Sequence, residues 1–345
     1  MPTVSSSAAP EPAAQPDGWP PVSVVMPVLE EERHLREAVE HVLAQDYPGE
    51  LELVMALGPS RDRTDAIAAE LVGEHPGRVR SVRNPTGTTP AGLNAAVGAA
   101  RHPVVVRVDG HALFPGDYVR TAVEVLMETG ADNVGGIMAA EGVTPFEQAV
   151  ARAMTSPFGV GNARFHTGGE PGPADTVYLG VFRRAALERV GGYDEAYLRA
   201  QDWEMNLRIR RTGGLVWFTP RLRVSYRPRP DLRSLARQYF HYGRWRRTVM
   251  RSHQGTASLR YLAPPVAVLG VLAGLAAAPW WRPALALPAG YAALVVGASA
   301  VTARGLPPAG QAWLPAVYAT MHGAWGVGFL LSPRGLAAGS PEGSR

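Results

Sequence analysis

The chain has 345 residues, a formal charge of +4 and no cysteine, and every one of its 34 basic residues is arginine. The missing thiols exclude disulfides, thiolate catalysis and cysteine-ligated metals, and are compatible with a reducing compartment. The basic surplus is local: residues 221–260 hold eleven arginines and one acid, Asp231, directly before a run of apolar segments, a position that suits diphosphates or anionic lipid headgroups better than nucleic acid.

Residues 1–20 are rich in Pro, Ala and Ser and lack both a basic start and an apolar centre, so they read as a disordered leader and not a signal peptide. A buried strand is expected at 22–26, ended by Pro27. Leu35, Val39, Val42 and Leu43 give helical spacing within 31–43. A second strand is expected at 51–57, closed by Gly58-Pro59. A helix with acids in its first turn follows over 62–71, as its dipole prefers. A third strand at 79–82, a small-residue helix at 91–100 and a fourth strand at 103–108 complete the regular half. Short strands alternating with helices imply an α/β fold, a mainly parallel sheet with helices on both faces. Ligands bind such sheets at the carboxyl ends of the strands, which gathers 27–31, 58–62 and 109–111 around one crevice.

Farther on, 134–140 and 178–182 read as strands, 184–190 and 203–211 as helices, 191–194 as a turn, and 159–173 as a glycine-rich loop long enough to act as a lid. Residues 21–250 thus form one catalytic unit. In the segments 261–281, 283–303 and 305–331 there is no Asp, Glu or Arg, and each is long enough for a bilayer core that takes ~20 residues to cross. About three transmembrane helices are therefore expected within a membrane domain at 251–334, with Trp280, Trp281 and Trp313 near the interfaces. His322 in the third segment reads as a helix-packing polar group. The arginine run preceding them puts the catalytic unit on the cytoplasmic side of a multi-pass chain at the cell membrane. The last residues, 335–345, read as a disordered tail.

Asp109 follows an apolar strand directly, where a carboxylate can hold a divalent cation against a departing diphosphate, although Asp in that position also caps turns. His111 is a second metal ligand, a hydrogen-bond donor to the diphosphate, or a hydrogen-bonding group behind the metal ligands. Asp202 opens a helix and can both cap it and take the proton from an acceptor hydroxyl, since displacement at an anomeric carbon needs one base and gives inversion. Asp62, Glu30 and Glu31 stand at strand ends suited to a nucleoside. Gln238 to Trp245 read as an amphipathic helix that either anchors at the membrane interface or holds a diphosphate or acceptor sugar through Arg244 and Trp245. An Asp at a strand end, a distant second Asp and a basic aromatic helix form the layout of a nucleotide-sugar transferase.

The motifs Val24 to Glu32, Ser60 to Thr64, Gly92-Leu93-Asn94, Arg107 to His111, Gly191 to Glu195, Gln201-Asp202 and Gln238 to Trp245 resemble family 2 glycosyltransferases, within them the membrane-associated succinoglycan-biosynthesis type. The resemblance covers residues 22–250 and runs on into the apolar segments. It implies a GT-A fold followed by C-terminal transmembrane helices. It further implies an inverting hexosyl transfer from a nucleoside-diphosphate sugar such as UDP-glucose, a Mg or Mn ion, and a lipid-linked or polysaccharide acceptor in exopolysaccharide or cell-envelope synthesis. By motif position Asp109 and His111 stand for the metal ligands and Asp202 for the base. Pro27, Glu30, Glu31, Asp62, Asn94, Gln201, Gln238, Arg244 and Trp245 stand for substrate contacts. The sequence departs from the family pattern at Glu30 (usually Asn), Leu57-Gly58 (usually an Asp pair), His111 (usually Asp) and Gln201 (usually Glu). Five residues, where the pattern has two, separate Gln238 from Arg244. These departures favour addition of a single sugar over processive polymerisation. A polyprenyl-phosphate glycosyltransferase and a non-catalytic scaffold of an export complex remain the alternatives.

Overall fold

A computed structural model of the protein describes residues 18–110, 112 and 114–337. Apolar runs in the first half give β1 (Val22–Val28), β2 (Leu51–Leu57), β3 (Val79–Arg83) and β4 (Val104–Arg107), and the second half adds β5 (Asn133–Ala140), β6 (Gly172–Pro173), β7 (Tyr178–Arg183) and β8 (Val216–Tyr226). They make one eight-stranded sheet in the order β3-β2-β1-β4-β7-β5-β8-β6. β3, β2, β1 and β4 run parallel, whereas β7 enters antiparallel between β4 and β5. The α/β expectation holds, and the sheet is mixed where its second half begins.

β1 continues through Pro27, which the sequence reading placed just past its end. Val25 turns its carbonyl to β4 and Val28 turns its carbonyl to β2. By alternation the absent N–H of Pro27 faces β4, where pairing has already stopped at Val25, so no ladder bond is lost.

On the sheet faces lie α1 (Leu35–Leu43), α2 (Thr64–Glu74), α3 (Thr89–Ala99) and α4 (Tyr118–Thr129), followed by α5 (Pro145–Met154), the short turns α6 (Pro157–Val160) and α7 (Arg164–Thr167), and then α8 (Arg184–Arg189) and α9 (Gln201–Arg211). Buried Val, Leu and Met from β1, β2 and β4 pack on the apolar stripes of α1, α2 and α4, while Leu93 and Ala96 of α3 cover the opposite face. α10 (Leu232–Ser252) then leaves the sheet, its amino end capped by Asp231, whose carboxylate accepts from the Ser234 N–H at 2.8 Å. The lone acid of the arginine-rich run is thus a helix cap.

The three apolar segments fold as α11 (Leu259–Ala277), α12 (Ala286–Thr302) and α13 (Pro308–Leu330). Two stretches, Leu259–Ala277 and Arg282–Thr302, are long and apolar enough to cross a membrane, and they are mostly unburied. Val266, Leu269, Leu272 and Leu275 of α11 and Leu287, Leu294, Val296 and Val301 of α12 face outward, a run of exposed large apolar side chains on both helices. α13 differs: Leu314, Val317, Tyr318 and Met321 are fully buried against α5 and α10. Its backbone meets that of α10 where both chains lack a side chain. A Cβ on Gly243 would stand 2.1 Å from the Trp325 carbonyl, and one on Gly328 would stand 2.1 Å from the Phe240 carbonyl.

Candidate active site

Asp109 emerges from the carboxyl end of β4, and Arg107 is the last residue of that strand. Arg107 is 5% exposed, an arginine inside an otherwise apolar run, and a buried guanidinium must be paired. Its Nε and Nη2 donate to Asp109 Oδ1 at 3.4 and 3.2 Å, and its Nη1 donates to Asp202 Oδ1. The two carboxylates singled out in the sequence, 93 positions apart, are therefore joined through one guanidinium. Burial opposes the charge on Arg107, but Asp202 and Asp109 outweigh it and hold its pKa well above the usual value. Asp202 occupies the first turn of α9. Burial raises its pKa above that of an ordinary aspartate; Arg107 pulls it back and Asp109 pushes it up again. A carboxylate whose charged form is somewhat disfavoured is a better proton acceptor. Ala200, which leads the chain into α9, and Glu30 at the end of β1 both sit in the left-handed region, φ 61° and 54°, so non-glycine backbone strain flanks the crevice on two sides.

The β1 and β2 ends are tied together. Glu30 donates its N–H to Ser60 Oγ (3.0 Å), Glu31 to Thr64 Oγ1 (2.8 Å) and Glu32 to Asp62 Oδ2 (3.2 Å), while Asp62 Oδ1 accepts from the Thr64 N–H (3.0 Å). Bonds from Thr64 above all hold the Asp62 carboxyl below the usual range. Glu31 lies over Gly110, where a Cβ would stand 3.2 Å from its Cγ, so this carboxylate belongs to the Asp109 loop. Pro27 is part of β1 beneath these groups. His111 lies outside the described residues.

Asn94 and Gln238 prove to be internal fasteners. The Asn94 amide donates to the Tyr193 carbonyl and accepts from the Tyr193 N–H, both at 2.8 Å, pinning the 191–194 turn to α3. Gln238, 7% exposed, donates to the hydroxyls of Tyr226 (2.7 Å) and Tyr242 (3.0 Å), while its Oε1 is buried without a partner among the described residues. Both act on neighbours that frame the site, a role that spacing alone does not reveal. Gln201 stands beside Asp202 at the start of α9. Arg244 lies over the Phe240 ring, and Trp245 is buried against Tyr197, Leu207 and Val249. Glu204, the other acid of α9, is 1% exposed and turned into a pair with Arg208 at 2.6 Å.

Asp202 also opens onto a cavity of about 540 Å³ lined by Tyr178, Trp203, Trp245 and Arg246 on the sheet side and by residues of α11, α12 and α13 beyond. The 159–173 segment walls this cavity through Phe165 and His166, and just before it the Phe158 carbonyl is bonded by His322 at 2.8 Å, with the Tyr291 hydroxyl 3.3 Å from the other ring nitrogen. His322 is thus the packing group the sequence suggested. Sequence reasoning gave no role to Arg107, Arg246 or His166, although an arginine within Val104 to Val108 was a legible signal.

For a divalent cation the donor set is spare. Among the described residues no cluster of three or more His, Cys, Asp or Glu side chains is present. Asp109, however, keeps 27% of its side chain exposed and engages Arg107 through one oxygen only. Magnesium-like ions commonly use one or two carboxylates with phosphate oxygens and water, so the residues fit.

The family model of glycosyl transferase family 2 matches residues 23–191. The succinoglycan biosynthesis protein ExoA of Rhizobium meliloti is 34% identical over 312 residues, covering 89% of this chain and 93% of that one. A dolichyl N-acetyl-alpha-D-glucosaminyl phosphate 3-beta-D-2,3-diacetamido-2,3-dideoxy-beta-D-glucuronosyltransferase of Methanococcus voltae is 23% identical over 258 residues, covering 70% and 77%. Among solved structures, the mannosyltransferase PcManGT of Pyrobaculum calidifontis, in complex with GDP-Man and Mn2+, superposes with a TM-score of 0.61 at 24% identity over 91% of this chain and 89% of that chain, a likeness of fold.

Proposed function

This chain belongs to glycosyl transferase family 2 and is a glycosyltransferase of polysaccharide biosynthesis, and on that premise we propose that it moves a single hexose, with inversion, from a nucleoside-diphosphate sugar to a lipid-linked or polysaccharide acceptor at the cytoplasmic face of a membrane. The observation that carries the reading is Asp202, joined through Arg107 to Asp109 on its crevice side and open to the large cavity on the other. A donor with its diphosphate at Asp109 and an acceptor entering through the cavity would meet at this carboxylate. Asp202 takes the acceptor proton as the new glycosidic bond forms, and its raised pKa suits the task.

Arg107 holds the base in place and keeps two neighbouring carboxylates from repelling each other. Asp62 and Glu30 supply polar contacts for the nucleoside, and Asp109, with Glu31 nearby, would hold a Mg or Mn ion. That ion, when bound, neutralises charge on the leaving diphosphate. The exposed apolar faces of α11 and α12, next to an arginine-rich α10, support insertion of both helices with the catalytic unit on the cytoplasmic side.

The test is a panel of labelled UDP-, GDP- and TDP-sugars incubated with membranes containing the protein and a lipid extract, UDP-glucose being the donor expected to label the organic phase or polymer. No transfer from any donor, with the folded protein present, would refute the reading.

A further inference from the structure

The amino end of α9, on which Asp202 stands, carries backbone strain and no side-chain cap. Ala200 leads into it at φ 61°, and no side chain bonds the free N–H groups of its first turn. Arg107 grips that turn from β4 through Asp202. A second tether reaches the next residue, Trp203, from α10: the Cζ of Arg246 stands 4.4 Å from the centroid of the Trp203 ring. Trp203 is 7% exposed and its Nε1 is buried without an acceptor among the described residues, so ring contacts and not a hydrogen bond orient it.

Arg246 has another ring against it. Its Cζ is 4.1 Å from the centroid of Tyr261, in the first turn of α11. That ring stacks on Trp325 of α13, the centroids 6.4 Å apart and the planes 15° from parallel, and the Trp325 indole N–H donates to the Tyr261 carbonyl at 3.4 Å. Trp203, Arg246, Tyr261 and Trp325 thus form one ladder across α9, α10, α11 and α13.

The central rung is a charge without a carboxylate of its own. The Nε and Nη1 of Arg246 are buried without an acceptor among the described residues, and Asp175, whose field reaches it, is shared by Arg210 and Arg260 at 3.6 Å each. Burial above all lowers the Arg246 pKa to about 10, which leaves it charged at neutral pH. Aromatic faces steady this charge, and they do so more strongly for a desolvated guanidinium than for an exposed one. An apolar side chain would fill the same gap with less desolvation cost, so stability alone does not account for an arginine here.

We propose that Arg246 is a positioning residue for Asp202: clamped on Tyr261 of α11, it fixes the Trp203 ring and with it the first turn of α9 that carries the base. The inference rests on the glycosyltransferase reading, since it gives Arg246 a part in proton removal by Asp202. Arg107 holds the carboxylate itself, and the ladder sets the direction of the turn beneath it. A misplacement of about 1 Å at a reacting group can cost ~10²-fold in rate, and loosening one of these tethers should cost a fraction of that.

The assay uses the full chain in nanodiscs, the labelled donor selected by the panel above and the lipid extract at saturation. Arg246→Met should cut the maximal rate by ~10-fold or more, while donor affinity moves less than ~2-fold and the circular dichroism spectrum is unaltered. Arg246→Lys should restore part of the rate, because an ammonium keeps the attraction to both rings but loses the flat contact. Tyr261→Phe, which retains the ring, should stay near wild type, and Tyr261→Leu should lose about as much as Arg246→Met. The double variant Arg246→Met with Tyr261→Leu should lose little more than either alone, since both break one ladder.

Full rate in Arg246→Met, equal losses in Tyr261→Phe and Tyr261→Leu, or losses that multiply in the double variant would each overturn the role. If Arg246→Met does not fold, the comparison of the two Tyr261 variants decides it. No transfer by the wild-type chain would sink the transferase reading and the role together. Normal transfer by the wild type with Arg246→Met at full rate would sink the role and leave the reading standing.

Discussion

Glu52 lies at the amino ends of the parallel strands, away from the site, and its side chain is 1% exposed. Its carboxylate accepts from Ser23 Oγ of β1 at 2.7 Å, from the Arg101 N–H at 2.8 Å and Nε at 2.7 Å, and from Arg80 Nη1 of β3 at 3.3 Å. Burial by itself would push this acid up; the donors win and hold it at about 2 against an ordinary 4.5. A difference of ~2.5 units at ~1.36 kcal/mol each gives about 3.4 kcal/mol. Arg80 and Arg101 are 36% and 50% exposed, so solvent screens part of this and ~2–3 kcal/mol is the working figure. The depressed pKa makes this stability fully present above 4.5 and lost as the pH falls toward 2. Glu52→Gln should therefore lower the melting temperature of the detergent-solubilised chain at pH 7 by ~4–12 °C. The gap to wild type should shrink to less than about half by pH 3, and kcat should be unchanged. A gap equally wide at pH 3 and pH 7 would show that charge at Glu52 is not what holds these strand ends.

Asp202→Asn should reduce kcat by at least ~10²-fold while the donor dissociation constant moves less than ~3-fold, and the reverse split would hand the base role to another group. Asp109→Ala and excess EDTA should each abolish transfer, with the circular dichroism spectrum of the variant unaltered; full turnover in EDTA would remove the cation from the reaction. The chain should stay with membranes through high salt and alkaline carbonate, and its recovery as a monodisperse soluble protein would refute the spans. Truncation before α11 is not an equivalent test, because α13 covers Leu235 and Tyr239 of α10. Gly243→Val should lower stability by ~1–3 kcal/mol by forcing α10 from α13, and an unchanged melting temperature would contradict the backbone contact.

The first sheet half was legible because β1, β2 and β4 are predominantly apolar runs, interrupted only by Ser23, Glu52 and the terminal Arg107, the pattern of strands buried on both faces. β8 was not read, since Val216 to Tyr226 alternates arginines with apolar residues and contains Pro220. Asp109 and Asp202 were each visible as acids at element starts, but their junction through Arg107 depends on antiparallel insertion of β7 and on the placing of α9, which no local pattern encodes. The same limit explains Asn94, whose partners are 99 positions away. α13 resembled its two neighbours in composition. What separates it is the partner it meets, a glycine-bearing α10, and burial against a partner leaves no local trace in composition.

The glycine-to-carbonyl contact of α10 with α13 has a bearing on reach. With backbone seated on backbone, these two helices have no side-chain cushion to slide on, so the helix bearing Trp245 cannot ride up or down relative to α13. If α11 and α12 fix the depth of α13 in the bilayer, the height of Asp202 above the lipid is set like the stop on a depth gauge. On the proposed membrane reading, that fixed height is what an acceptor group would have to match to reach Asp202.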